Sequence, residues 1–176
     1  MKVASLQDND FELFGIKPQF AQDRAVLDAR WKELQREVHP DKFAAQGAAA
    51  QRVAMQWSVR INEAYQRLKD PLQRAAYLCE MRGATINAEN NTAMPKDFLM
   101  AQMAWREALD EASTAADLDA LAAEINESRA QILQRIGSLL DEVSNAPEAA
   151  QQVRALMFVE RFAQDFETQF ERLANA

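Results

Sequence analysis

The chain has little of what builds sheets on tight turns, or covalent and metal frameworks. Four glycines and five prolines among 176 residues leave few sites for reverse turns, so long helices are expected and a sheet built on tight turns is not. A single cysteine, Cys79, permits no internal disulfide and cannot supply a thiolate cluster for zinc or an iron–sulfur centre. That usage fits a reducing compartment. A single histidine, His39, leaves no helical histidine pair for zinc and no second imidazole for a catalytic triad, and no glycine-rich phosphate loop is present. No apolar run approaches the roughly 20 residues of a membrane span. The opening stretch MKVASLQDND has neither a secretory apolar core nor an Arg-rich amphipathic leader, so a soluble protein of the bacterial cytoplasm is expected.

The net charge of −7 is unevenly spread. Residues 1–83 carry 13 basic and 11 acidic side chains, net +2, whereas residues 84–176 carry 7 and 16, net −9. The acidic half argues against contact with a phosphate backbone, and the first half is too weakly basic to be a nucleic-acid domain by charge alone.

What remains is helical patterning. A short helix around Phe11 and Phe14 ends at Gly15. Ala21 to Val38 carries one apolar stripe of Leu27, Trp31, Leu34 and Val38, and Pro40 must stop it, because a proline disfavours helical geometry in the residue before it. A polar loop containing Gly47 leads into a long helix from about Ala49 to Leu68, with Val53, Trp57, Ile61, Ala64, Tyr65 and Leu68 inward. Asp70-Pro71 opens a shorter helix through Leu78 and Cys79, closed by Gly83. Residues 84–95 are polar, end in Pro95 and read as a linker. Three further helices over 96–176 predict an antiparallel bundle. The stripe of the middle one is Leu118, Leu121, Ile125, Ile132, Ile136, Leu139 and Val143; that of the last is Leu156, Val159, Ala163, Phe166, Phe170 and Leu173. The fold class is therefore all-α.

The lone histidine stands in His39-Pro40-Asp41-Lys42-Phe43, between two amphipathic helices. With the stripe of Ala21 to Val38 turned inward, Lys32 and Arg36 lie on the solvent side as i and i+4 neighbours. A basic helix leading into a proline-stiffened loop that offers an imidazole and a carboxylate suits docking on an acidic partner. A hydrolase using His39 and Asp41 would lack a nucleophile within motif distance. A short Phe-containing helix, a basic helix, His-Pro-Asp, a long returning helix and a helix opening with Asp-Pro together resemble the J-domain of DnaJ-type co-chaperones, in order over about residues 8–80. The resemblance implies an antiparallel helical hairpin with short flanking helices, docking on a DnaK-type chaperone and stimulating its ATPase. It assigns His39, Pro40 and Asp41 to the stimulatory motif and Lys32 and Arg36 to docking, with Arg30 and Lys42 as lesser contributors.

The first bundle helix reads FLMAQMAWREAL over residues 98–109 and has two apolar sides. At about 100° per residue, Phe98, Trp105 and Leu109 fall together, whereas Leu99, Met100 and Met103, beside Ala104 and Glu107, face away. Each Leu or Met left in water forgoes roughly 1.5–3 kcal/mol of burial, and such clusters mark binding patches. Phe158 in the last helix likewise falls well off its stripe. A J-domain followed by an acidic three-helix bundle with FLM-x-Q-M-x-W-R-E resembles the HscB family of iron–sulfur cluster co-chaperones over nearly the whole chain. That resemblance implies an HscA-type chaperone for residues 1–83 and an IscU-type scaffold for residues 96–176. It places client contacts at Leu99, Met100, Met103, Ala104, Glu107 and Phe158, with no cofactor, metal, membrane or nucleic acid and no catalysis by the chain itself. Ala101 and Ala104 stand where relatives often carry an acidic residue, so apolar contacts are expected to contribute more here. A general J-domain co-chaperone with a different client would share everything through about residue 83. The paired acids Asp110-Glu111, Asp117/Asp119 and Asp141-Glu142 read as solvated helix ends.

Overall fold

The computed structural model describes residues 4–175 and contains helices and no strand among them. The chain divides into two compact units, Met1–Leu78 and Cys79–Ala176.

The first unit contains α1 (Asp10–Phe14), α2 (Arg24–Val38), a 3-10 helix (Pro40–Gln46), α3 (Ala48–Lys69) and the first turns of α4 (Pro71–Met81). The local signals are legible in each boundary. Asn9 caps α1 by accepting from the Glu12 N–H, and Gly15 ends it at φ +64°. Asp23 caps α2, and Asp70 accepts from the Leu72 N–H ahead of α4. Cross-contacts between α2 and α3 run in opposite directions. Trp31 donates from Nε1 to Asn62 at 3.1 Å and stacks on Tyr65 at 4.8 Å, while Gln35 exchanges hydrogen bonds with Ser58. The pair is therefore an antiparallel hairpin. Phe11, Phe14, Leu27, Ile61 and Leu68 are almost completely buried between the hairpin, α1 and α4.

Of the residues expected inward, Trp31, Val38 and Trp57 are only partly covered, and Val53 at the start of α3 is half exposed. For Val53 and Trp57 the cause is the early end of α2: the chain leaves helical geometry at His39, so the opening turns of α3 face the 3-10 helix. A groove of 370 Å³ remains there, lined by Val38, Phe43, Val53 and Trp57 among others.

One charged group is wholly interior. The Asp10 carboxylate receives Arg60 at 2.9 Å and Arg67 at 2.6 Å, and its backbone N–H donates to the Tyr77 hydroxyl at 3.0 Å. Arg67 also lies over the Tyr77 ring, 5.0 Å from its centroid. Removing one partner of a buried ion pair strands the other charge, so Asp10→Asn is expected to cost about 3 kcal/mol. A thermal melt followed by circular dichroism checks this, and an unshifted transition would show that the ion pair carries no weight.

The second unit holds the end of α4, then α5 (Lys96–Glu111), α6 (Ala115–Gly137), a π-helical turn (Ser138–Glu142) and α7 (Ala146–Ala174). Thr114 and Asp117 form a reciprocal capping box at the start of α6. The Ser113 and Thr114 groups that donate to Asp117 hold its carboxyl below the usual carboxylate range. Arg129 meets Glu160 at 2.6 Å and Arg135 meets Asp97 at 3.7 Å, so α6 runs antiparallel to both neighbours. Phe98, Trp105, Ile125, Ile136, Leu156, Val159 and Phe166 are buried.

The inward stripes differ from expectation in several places, and Leu173, expected inward, is only partly covered. Val143 is exposed and Leu140, rather than Leu139, enters the core, because the π turn inserts extra residues per turn and resets the helical phase. On α7 Phe162 is buried where Ala163 was expected to be, and Ala163 is only partly covered. Phe170 is 40% exposed, standing over the α5–α6 connection near Ser113 and Ala115, where neither helix covers it fully. The segment 84–95 carries no helix. It is held to the first third of α7 by Arg154, a buried guanidinium that donates to the carbonyls of Thr85, Ile86 and Ala93 at 3.3, 3.0 and 2.9 Å. Cys79 is fully buried, and burial pushes its thiol up to about 11, which suits a packing residue and not a nucleophile.

Candidate functional surfaces

At the end of α2 the backbone of His39 sits at φ −57°, ψ 128°, the extended conformation that a following proline imposes. This turns the tripeptide away from the helix. The His39 side chain caps the 3-10 helix, accepting the Asp41 N–H at Nδ1 over 3.3 Å. Acceptance at Nδ1 leaves the proton of the neutral ring on Nε2. The Asp41 carboxylate lies 3.6 Å from Nδ1, and the two side chains are 58% and 89% exposed. An imidazole and a carboxylate are thus fixed side by side on a short stiff helix, with their outer edges in water.

Lys32 and Arg36 are exposed on α2, and Lys42 is exposed on the 3-10 helix. Arg30 is engaged: its Nε donates to the Phe14 carbonyl at 3.2 Å and its guanidinium meets Glu33 at 3.0 Å. Beside Lys32 on α2, the Tyr65 hydroxyl and the Arg24 guanidinium both bond Asp28 and hold its carboxyl below the ordinary range. Sequence reasoning missed this brace, although Tyr65 was legible as a stripe residue with a polar tip.

The second surface is built on α5 and α7. Phe98, Trp105 and Leu109 are buried, and the other side of α5 is open: Leu99 is 39%, Met100 72% and Met103 71% exposed, with Ala104 and Glu107 beside them. Phe158 is half-buried. It meets Phe98 edge-to-face at 5.8 Å and stacks on Phe162 at 6.0 Å, which leaves its outer edge free. Two grooves meet at this ring. One, of 670 Å³, is lined by Met103, Arg106, Glu107, Asp110, Glu111 and Phe158; the other, of 350 Å³, includes Leu99, Met157 and Phe158. Met100 lines neither and stands beside them, one turn from Met103. Asp110 and Glu111, expected to be no more than a solvated helix end, rim the larger groove with Glu107. Negative charge is therefore present further along α5 than Ala101 and Ala104. The surface is apolar at its centre and acidic at one edge.

Among the described residues no group of three or more His, Cys, Asp or Glu could hold a metal ion, and no helix is long and apolar enough to cross a membrane.

The family described as the HSCB C-terminal oligomerisation domain matches residues 94–167. The chain is 51% identical over 174 residues to the co-chaperone protein HscB homolog of Burkholderia multivorans, covering 97% of this chain and 99% of that one. The corresponding homolog of Burkholderia thailandensis is 52% identical over 176 residues, covering 98% and 100%. This chain belongs to the HscB co-chaperone family. Solved HscB structures share the architecture. Chaperone HscB from Vibrio cholerae, 34% identical, superposes with a TM-score of 0.80 over 94% of this chain and 99% of that one. Human co-chaperone protein HscB, 24% identical, has the same fold, with a TM-score of 0.86 over 96% and 85%. An HscB protein is all-helical, a J-domain followed by a C-terminal bundle, and its role is that of a co-chaperone in iron–sulfur cluster assembly.

Proposed function

We propose that this HscB-family chain couples an IscU-type scaffold to an HscA-type ATPase in the bacterial cytoplasm and is not itself an enzyme. Residues 1–83 act as the J-domain, 84–95 connect, and 96–176 bind the client. Lys32 and Arg36 dock on acidic groups of the chaperone, with Lys42 assisting and Arg30 mainly holding α2 to the Phe14 turn. His39, Pro40 and Asp41 then perturb hydrogen bonds at the chaperone's domain junction and speed hydrolysis. Leu99, Met100, Met103, Ala104, Glu107 and Phe158 hold the client meanwhile. The work is positioning, and no bond is made or broken on this chain. A single buried, unpaired cysteine is in keeping with reducing surroundings.

The observation that carries the proposal is the open apolar side of α5: three large side chains remain in water beside a half-buried phenyl ring, on a helix whose opposite side already supplies the core. A contiguous apolar cluster of this kind on one helix face, unlike a singly exposed residue, points to an interaction site. The test is an ATPase assay of an HscA-type chaperone with this protein and the scaffold added separately and together. Synergy is the expected result. A merely additive response would overturn the coupling role.

A further inference from the structure

Among the large apolar side chains of the described residues, the two left most exposed are Met100 and Met103. Both are methionines, both lie on α5, and their i, i+3 spacing makes them neighbours on one face. Met103 also lines the groove floored by Phe158. Leucine would serve apolar docking about as well. Besides the flexibility that lets it repack against a partner, a thioether adds two-electron oxidation, which turns an apolar side chain into a polar one with an acceptor oxygen.

We propose that Met100 and Met103 form an oxidant-sensitive modification site, at which a hydroperoxide converts the thioethers to sulfoxides and the altered patch releases its client. This rests on the reading of the α5 surface as the client site. In the step, a sulfur lone pair attacks one peroxide oxygen, the S–O bond forms as the O–O bond breaks, and proton transfer releases the other oxygen as water or an alcohol. Sulfur loses the two electrons that the peroxide gains. The sulfoxide oxygen then needs a hydrogen-bond donor wherever an apolar client surface covers it. Glu107, Asp110 and Glu111 along the rim accept and do not donate when ionised. Arg106, the basic lining residue, is already over the Phe162 ring and 3.6 Å from Asp165. Donors in the groove are confined to the Gln102 amide and the Arg106 guanidinium, against three carboxylates; a polar S=O pressed against an apolar client surface loses its water without a partner there, and binding weakens.

Met55 and Met81 are also exposed, at 53% and 41%, and neither lies on α5, so they serve as internal references. The purified full chain is treated with hydrogen peroxide, sulfoxides are mapped by peptide mass spectrometry, and affinity for the purified iron–sulfur scaffold is measured before and after. Each protein is compared with its own untreated sample. The native chain is expected to lose on the order of tenfold to a hundredfold in affinity and to recover with methionine sulfoxide reductase. The M55L/M81L variant should lose as much, and the M100L/M103L variant should not respond. Sulfoxides mapped at both positions with unchanged affinity, a loss that persists in M100L/M103L, or thioethers at 100 and 103 when Met55 is already oxidised would each overturn the proposal. An untreated L99A/M103A/F158A variant separates the two readings. If it binds scaffold normally, the client site itself is wrong and the switch falls with it; if it does not bind while peroxide has no effect, only the switch is lost.

Discussion

Replacing Leu99, Met103 and Phe158 together with alanine is expected to weaken scaffold binding by about 4 kcal/mol, roughly a thousandfold, while the bundle stays folded. Met103 stands largely in solvent, so its truncation removes little that the free protein uses, and Leu99, 39% exposed, gives up part of its packing. Phe158 is different, because part of its ring packs on Phe98 and Phe162. Its loss should lower bundle stability by about 1–2 kcal/mol, well short of unfolding a core that still contains Trp105, Leu156 and Phe162. Calorimetric binding and a thermal melt, run on the same preparations, separate the two effects. Unaltered scaffold affinity, or a molten bundle, would return these residues to a purely structural role.

His39→Gln is expected to abolish stimulation of the chaperone ATPase and leave scaffold binding unchanged. The substitution keeps a polar side chain at the cap but replaces the imidazole edge that faces water next to Asp41. The local cost is small: His39 contributes one 3.3 Å bond to the start of the 3-10 helix, and loss of such a cap is worth about 1 kcal/mol. A folded variant that still accelerates hydrolysis would show that the tripeptide is not the stimulatory element. A steady-state ATPase titration, with the scaffold-binding measurement alongside, decides it.

Both candidate surfaces are legible in the sequence because each violates a local rule. His39-Pro40 interrupts a helical pattern at a point where the chain could have continued, and residues 98–109 carry apolar side chains on two sides of one helix. The individual helices follow from three- and four-residue spacings, which depend only on helical geometry; short connections point to the bundle, and the pairing of α2 with α3 into a hairpin is what the J-domain resemblance implies. Less visible was whatever depends on where a neighbouring helix stops. Val53 and Phe170 belong to regular stripes, yet they lie beyond the reach of the elements meant to cover them. Val143 was misplaced for another reason: a π turn shifts phase by a fraction of a turn, and no residue type announces it. The groove rim was missed as well, since Asp110 and Glu111 look like any acidic helix end until Phe158 is brought alongside from α7. The Asp10 ion pairs join α1 to α3 across 50 and 57 residues, distances over which periodicity carries no information.

The guanidinium of Arg154 has a practical corollary for dissecting the chain. Its three carbonyl partners lie in a stretch that sequence patterning treats as a mere spacer. A fragment begun at Lys96 would strip all three away, leaving a cation with no counterpart within α7. Excision of the C-terminal portion is better begun at Cys79, where the chain's own division falls, so that the clasp comes away with the helix it grips.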